Sequence, residues 1–458
     1  MAPEKENKES LTPVSRRLSP FVSTILTSPR TREARRRMAE AVRRLRRAPR
    51  RVLYFHQVDD AYSHLAAQVL GNLVSRYDVE AVPHLAGPPP DAAAPERGRL
   101  EAFARKDAAD VAPGYGLSFP TRGTAPDAAL VDRVSSILAG ALARGCFLDA
   151  AVPAGRALWD GDWAGLERLA ADVPPANPSE TRCAVEAGSE RRRRLGHYLG
   201  AMFYYGGEWY WGVDRLHHLE RHLRSLDALR AGAGPAFIVS RPDFSRAPVA
   251  RTDRRLTLEF YVSLRSPYSY ISLERVLALP DRYPVDLAPR PVLPMVMRGL
   301  PVPRVKRIYI VLDARREAED AGVPFGRICD PIGRPIERAF SLYPWAKSRG
   351  RAAEILLSFG RAAFAEGIDI GRDLGLRTVV ERAGLSWEEA REHLDGESWR
   401  EEIEENRRRL FDMGLWGVPS FRLRGPEGTP DFCTWGQDRI WRVEEEIRRR
   451  VGSPATAA

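Results

Sequence analysis

Leu256-Thr257-Leu258-Glu259-Phe260-Tyr261-Val262, continued through Ser263-Leu264-Arg265 into Ser266-Pro267-Tyr268-Ser269, is the stretch on which the fold turns. Seven residues dominated by leucine, valine and aromatics read as a strand. Serine is a favoured N-cap and proline suits the first helical position, so Ser266-Pro267 opens a helix that runs over Tyr270–Ala278. Local chemistry alone explains the tetrapeptide as a helix start.

The same stretch occurs earlier in the chain. Tyr54-Phe55-His56-Gln57-Val58-Asp59-Asp60-Ala61-Tyr62-Ser63 aligns with Phe260 to Ser269 at an offset of 206. Trp211-Gly212-Val213-Asp214-Arg215-Leu216 aligns with Trp435-Gly436-Gln437-Asp438-Arg439-Ile440 at an offset of 224, so the later copy carries 18 extra residues between the landmarks. Two landmarks in the same order at similar separation make an internal repeat. Each copy reads as strand (Arg51 to Phe55 in the first), turn, helix, a long helical middle, a short hairpin and a closing helix. In the second copy the middle spans about Pro303 to Met413, with amphipathic stretches at 305–321, 346–364 and 399–411, and Ser386-Trp387-Glu388-Glu389 reads as a capping box. A sheet interrupted by helices is an α/β arrangement with a right-handed crossover.

A chain of 458 residues suits two domains. The expected division is a basic, disordered tail over 1–50, a domain at 51–230, a Gly/Pro/Arg/Ser-rich linker at 231–254, a domain at 255–451, and a tail at 452–458. Within the first segment, residues 1–30 are Pro/Ser-rich, whereas Ala34, Met38, Ala41, Val42 and Leu45 recur at helical spacing between Thr31 and Arg47. That makes a basic amphipathic helix able to touch a membrane surface or an acidic partner. The net charge of +10 is concentrated here: residues 1–50 hold 14 Lys plus Arg against 5 Glu, leaving the rest near neutral. The folded part therefore gives no case for nucleic acid. With no apolar run long enough to span a bilayer and no secretory core, the expectation is a cytoplasmic protein. Cys146, Cys183, Cys329 and Cys433 are far apart and form no C-x-x-C pair, which suits thiols in a reducing compartment.

In thioredoxin-type oxidoreductases a C-x-x-C pair occupies the strand-to-helix turn, where the helix N-terminus stabilises a thiolate. Here Ser266 and Ser269 stand at those positions. A serine exchanges no disulfide, but it can donate a hydrogen bond to a thiolate supplied by another molecule such as glutathione. The S-P-Y-S-Y turn, Gly417-Val418-Pro419-Ser420-Phe421 and Trp435-Gly436-Gln437-Asp438-Arg439 together resemble 2-hydroxychromene-2-carboxylate isomerases and kappa-class glutathione transferases of the DsbA-like thioredoxin superfamily. Tyr309, Asp313 and Arg316, followed by Ala321-Gly322-Val323-Pro324-Phe325, resemble that family's first inserted helix. The resemblance implies two tandem thioredoxin-like α/β copies with a helical insertion, well matched over 256–450 and weakly over 51–225. It implies that Ser266 is catalytic and holds the glutathione sulfur as thiolate. Val418, before a cis-Pro419, would pair its backbone with the cysteinyl part, and Gln437 and Asp438 would hold the γ-glutamyl end. The second substrate would be a small electrophilic, aromatic-derived molecule.

The pattern is not complete. The family's glutathione-contacting asparagine has no counterpart, since no asparagine lies between Pro284 and Gly333, and Arg265 and Ser263 replace an apolar residue and an aspartate. In the first copy Asp60 and Ala61 replace Ser266 and Pro267, and Leu199-Gly200-Ala201-Met202-Phe203 replaces the proline segment. A carboxylate there would repel a thiolate, so this copy reads as a structural partner. His218 and His222 have i,i+4 spacing, but with no carboxylate–histidine set beside them the expectation is no metal. The expected function is a glutathione-dependent isomerase or transferase. The alternative is a non-catalytic thioredoxin-fold binding protein, or a DsbA-like member without dithiol chemistry.

Overall fold

The computed structural model describes residues 13–121, 124–244, 255–425 and 429–452. The expectations for residues 1–12, for 245–254 of the linker and for 453–458 lie outside the described residues. The chain divides into two compact units: a first of Arg32–Pro242 with Pro303–Tyr309, and a second of Met1–Thr31, Asp243–Val302 and Ile310–Ala458.

The first unit contains β1 (Arg51–His56), β2 (Glu80–Leu85), β3 (Met202–Tyr205) and β4 (Glu208–Trp211) in the order β2-β1-β3-β4. The second contains β5 (Leu256–Val262), β6 (Val285–Pro291), β7 (Ser420–Leu423) and β8 (Phe432–Trp435) in the order β6-β5-β7-β8. In each sheet the first two strands are parallel and the other pairings antiparallel. The central strand is covered on both faces, which is why β5 is almost continuously apolar. The charged exception is Glu259, fully buried, which accepts from Tyr261 Oη at 2.9 Å, from Arg290 on β6 at 3.0 Å and from Arg424 just past β7 at 2.7 Å. The main apolar core of the second unit joins Leu258, Phe260 and Phe421 of the sheet to Phe340, Phe359 and Trp399 of the helical insertion.

Register makes the two sheets comparable residue by residue. Phe55 lies opposite Met202, and Tyr261 opposite Ser420, so Ala201 takes the place of Pro419. Gly212 N donates to Ala201 O at 2.7 Å, as Gly436 N donates to Pro419 O at 2.9 Å. Tyr62 Oη donates to Asp107 and Tyr268 Oη to Asp313, each across 45 residues. Tyr77 Oη donates to Glu220 at 2.9 Å and Tyr283 Oη to Glu444 at 3.1 Å. Both glutamates are pushed above the ordinary carboxylate range, chiefly by burial.

Several expectations are corrected. Residues Pro13–Thr27, expected to be disordered, form a helix, α1, and the expected basic helix is α2 (Pro29–Leu45). The order comes from tertiary bonds: Ser19 Oγ donates to Ile328 O at 2.9 Å, Ser23 Oγ accepts from Ile328 N at 2.8 Å, and Thr27 Oγ1 donates to Gly326 O at 3.2 Å. The linker is anchored at both described ends. Ile238 N donates to Glu220 in the first unit, and Phe244 O accepts from Arg282 in the second. Pro303–Tyr309 groups with the first unit because Lys306 Nζ donates to Ala93 O at 2.9 Å and Tyr309 packs with Phe55, Met202 and Trp209. The stretch 346–364 is interrupted between Tyr343–Ser348 and Ala352–Arg361, where Gly350 takes φ 71°. Ser386 caps a single turn, Trp387–Ala390, through Glu389 N.

Candidate functional site

Ser266 occupies the N-cap of the helix Pro267–Leu277, with extended backbone (φ −93°, ψ 113°) and its oxygen accepting from Ser269 N at 3.1 Å. Its hydroxyl also donates to Val418 O at 3.5 Å, the outer limit of such a bond. The proton is therefore weakly held and available to another acceptor. The Val418–Pro419 peptide is cis, as expected, and Pro419 leads directly into β7. Gly417 lies against the Trp435 indole so closely that an added Cβ would sit 2.1 Å from its ring, while Trp435 packs on Trp416 at 5.1 Å. Ser266, Val418 and Pro419 are thus brought together.

Gln437 and Asp438 lie in a 3-10 turn (Gln437–Arg439) that precedes the closing helix Ile440–Val451. Gln437 is buried and engaged within its unit: its amide nitrogen donates to Glu317 at 2.6 Å and its oxygen accepts from Arg275 Nη2 at 2.6 Å. Asp438 is half-buried and accepts from Gln437 Nε2. Sequence reading missed Glu317 and Arg275 as the partners of Gln437. It also missed the pairing of Arg265, whose guanidinium makes a bidentate bond to Asp330 at 2.8 and 2.7 Å. Tyr268, two residues past the cap, is held by Asp313, which also accepts from Arg316 at 3.0 Å. Of the three residues read as an inserted-helix signature, Asp313 and Arg316 pair with each other here, and Tyr309 packs in the first unit.

All four cysteines are free, and burial pushes the Cys329 thiol up to about 11, away from thiolate chemistry.

The equivalent turn of the first unit has different chemistry. Asp60 caps the helix Ala61–Ala67, accepting from Tyr62 N at 3.3 Å, Ser63 N at 3.0 Å and Ser63 Oγ at 2.7 Å. Burial pushes its carboxyl up to about 6, against those hydrogen bonds. His56 nearby is driven down to about 3, chiefly by burial, and His222 is tied to the Tyr210 hydroxyl at 2.8 Å. A carboxyl whose folded pKa is raised favours the fold below its unfolded value, and that contribution is lost as pH rises through the folded value. Asp60→Asn keeps a good N-cap and removes the titration. Its advantage over the parent in thermal unfolding of the first unit is expected to be on the order of 1 kcal/mol at pH 8, after solvent screening, and to vanish near pH 4. An advantage that grew on acidification would contradict the assignment.

Residues 257–448 match the DSBA-like thioredoxin domain family and form such a domain. No curated protein matches the chain. Among solved structures, a 2-hydroxychromene-2-carboxylate isomerase is 22% identical, covers 42% of this chain and 95% of its own, and has a TM-score of 0.36. A probable DsbA oxidoreductase from Streptomyces coelicolor is 20% identical, covering 44% of this chain and 93% of its own, with a TM-score of 0.34. The cytosolic disulfide reductase DsbM from Pseudomonas aeruginosa, solved with GSH, is 22% identical over 43% of this chain and 100% of its own, with a TM-score of 0.32.

Proposed function

We propose that the second unit is a glutathione-dependent isomerase or transferase and that Ser266 positions the thiolate. The carrying observation is the Ser266 hydroxyl, which sits at a helix N-terminus with its oxygen on Ser269 N and its proton only loosely given to Val418 O at 3.5 Å. A bound thiol supplies the nucleophile for a small electrophilic, aromatic-derived substrate. Ser266 turns its hydroxyl toward the sulfur, and the dipole of the helix it caps adds to favour the anion. Val418 offers backbone groups beside it, and Asp438 is the carboxylate for the γ-glutamyl ammonium. Gln437 fits that end less well, because its amide is engaged by Glu317 and Arg275. A reducing, cytoplasmic setting suits both the four free thiols and a glutathione cofactor.

The first unit is a diverged tandem copy that has lost this chemistry. The shared strand order, the two Tyr–Asp contacts at one spacing and the two Tyr–Glu contacts support the duplication. Engagement of Arg265 by Asp330 favours a second reading, a thioredoxin-fold binding protein without turnover.

The test is Ser266→Ala. A free thiol titrates near about 8.5, and binding to the parent should lower that value. In the variant the bound-thiol titration, read by ultraviolet thiolate absorbance, is expected to return toward the free value. The lost cap separately costs about 0.5–2 kcal/mol in thermal unfolding. A variant that loses stability yet titrates as the parent would make Ser266 a cap alone. A parent that binds no glutathione at millimolar concentration would leave the binding-protein reading.

A further inference from the structure

Helices α1 and α2 present the reverse of the usual pattern, in which a surface helix turns its apolar stripe to the core. In α1 the side facing its unit carries the hydroxyls Ser19, Ser23 and Thr27, bonded to backbone between Gly326 and Ile328, and Arg16, bonded to Ile332 O at 3.2 Å. Leu18, Phe21, Val22 and Ile25, spaced as one helical stripe, are between 51% and 68% exposed. In α2 the inward contact is Arg36 Nη2 to Glu208 at 2.9 Å, and Glu40 is buried, accepting from Arg43 and Arg44 of the same helix at 2.7 and 2.8 Å. Met38, Val42 and Leu45 face outward, with Leu45 85% exposed. Among the described residues these two helices hold seven of the ten exposed large hydrophobics. Apolar stripes left in water on both helices call for an occupant.

We propose that α1 and α2 are interfacial anchors that bring the chain to an anionic lipid surface. Charge selects the occupant. Arg35, Arg37, Arg44, Arg46 and Arg47 are exposed around the apolar residues of α2, and residues 1–50 carry nearly all of the chain's excess of positive charge. A second copy would set like charge against like, whereas acidic headgroups take the guanidinium groups while the acyl boundary takes the apolar stripe. No helix among the described residues is long and apolar enough to cross a membrane, so the association is peripheral. This inference is independent of the thiol site.

The experiment is co-sedimentation of the full chain with vesicles of phosphatidylcholine containing about one third phosphatidylserine, where binding should be about tenfold or more tighter than to phosphatidylcholine alone. Phe21→Asp combined with Leu45→Asp should abolish it, and so should Arg35→Gln, Arg37→Gln, Arg46→Gln and Arg47→Gln together. All six positions are outside the cores, so unchanged thermal unfolding is expected to certify the fold of each variant. Equal binding to both vesicle types, or variants that sediment like the parent, would overturn the proposal. A parent that ignores vesicles but forms a dimer broken by Phe21→Asp would assign the stripe to a second copy instead.

Discussion

Asp313→Ala is expected to cost the second unit about 3–5 kcal/mol, the range for taking one partner from a buried ion pair. Asp313 is fully buried, Arg316 is 6% exposed, and the two are 3.0 Å apart. The alanine removes that carboxylate from a desolvated guanidinium and removes the acceptor of the Tyr268 hydroxyl in the same step. Asp313→Asn keeps an acceptor for the tyrosine and should lose less. Urea unfolding followed separately for the two units checks the ranking. A loss under about 1 kcal/mol for the alanine would mean that the pair is not desolvated as described. Because Tyr268 lies two residues after Ser266, a weakened Asp313 contact should also loosen the turn that carries the hydroxyl.

Gly188→Ala should be comparably damaging to the first unit. Gly188 lies on the helix Pro178–Arg194, and a Cβ there would sit 1.8 Å from the carbonyl oxygen of Leu85 at the end of β2. The obstacle is backbone, so no rotamer relieves it and helix and strand must separate. Such overpacking is expected to cost about 3 kcal/mol, or roughly 6–12 °C in Tm for a unit of this size. Gly98→Ala is the control: that helical position has nothing within 4 Å of the added atom. It should stabilise by about 0.4–1 kcal/mol through the unfolded chain. Scanning calorimetry in which Gly188→Ala left the first unit's transition in place would refute the close approach.

What the sequence disclosed follows from how local each signal is. The strand Leu256–Val262 and the helix start at Ser266-Pro267 are written in adjacent residues, and both stand where the pattern places them. The offset of 206 extends further than the aligned decapeptides: Asp107 and Asp313 obey it, and searching past the first landmark for the acceptors of Tyr62 and Tyr268 would have found them. Tyr77–Glu220 and Tyr283–Glu444 combine both offsets in the same way. By contrast, α1 is ordered by backbone groups some three hundred residues away, and composition at Ser19, Ser23 and Thr27 carries no trace of them. Gln437 was legible as a polar residue at a helix start. Its engagement by Glu317 and Arg275 depends on the tertiary fold.

The turn of the first unit bears on whether the second unit's loop could be installed there. Ala201 adopts φ 53° and donates its N–H to Ser63 Oγ at 2.8 Å. Proline has no N–H and fixes φ near −65°, so it cannot be written back at this position while the backbone keeps its present path. The neighbouring Gly200 is boxed in as well: a Cβ there would meet Gln57 Cβ at 2.8 Å and Asp60 Oδ2 at 2.9 Å, leaving no room for a valine. Asp60→Ser alone would therefore supply a hydroxyl without the loop that faces it. Single substitutions therefore do not turn this loop into the one around Val418 and Pro419, and a turn of that kind would have to be grafted here as a whole segment.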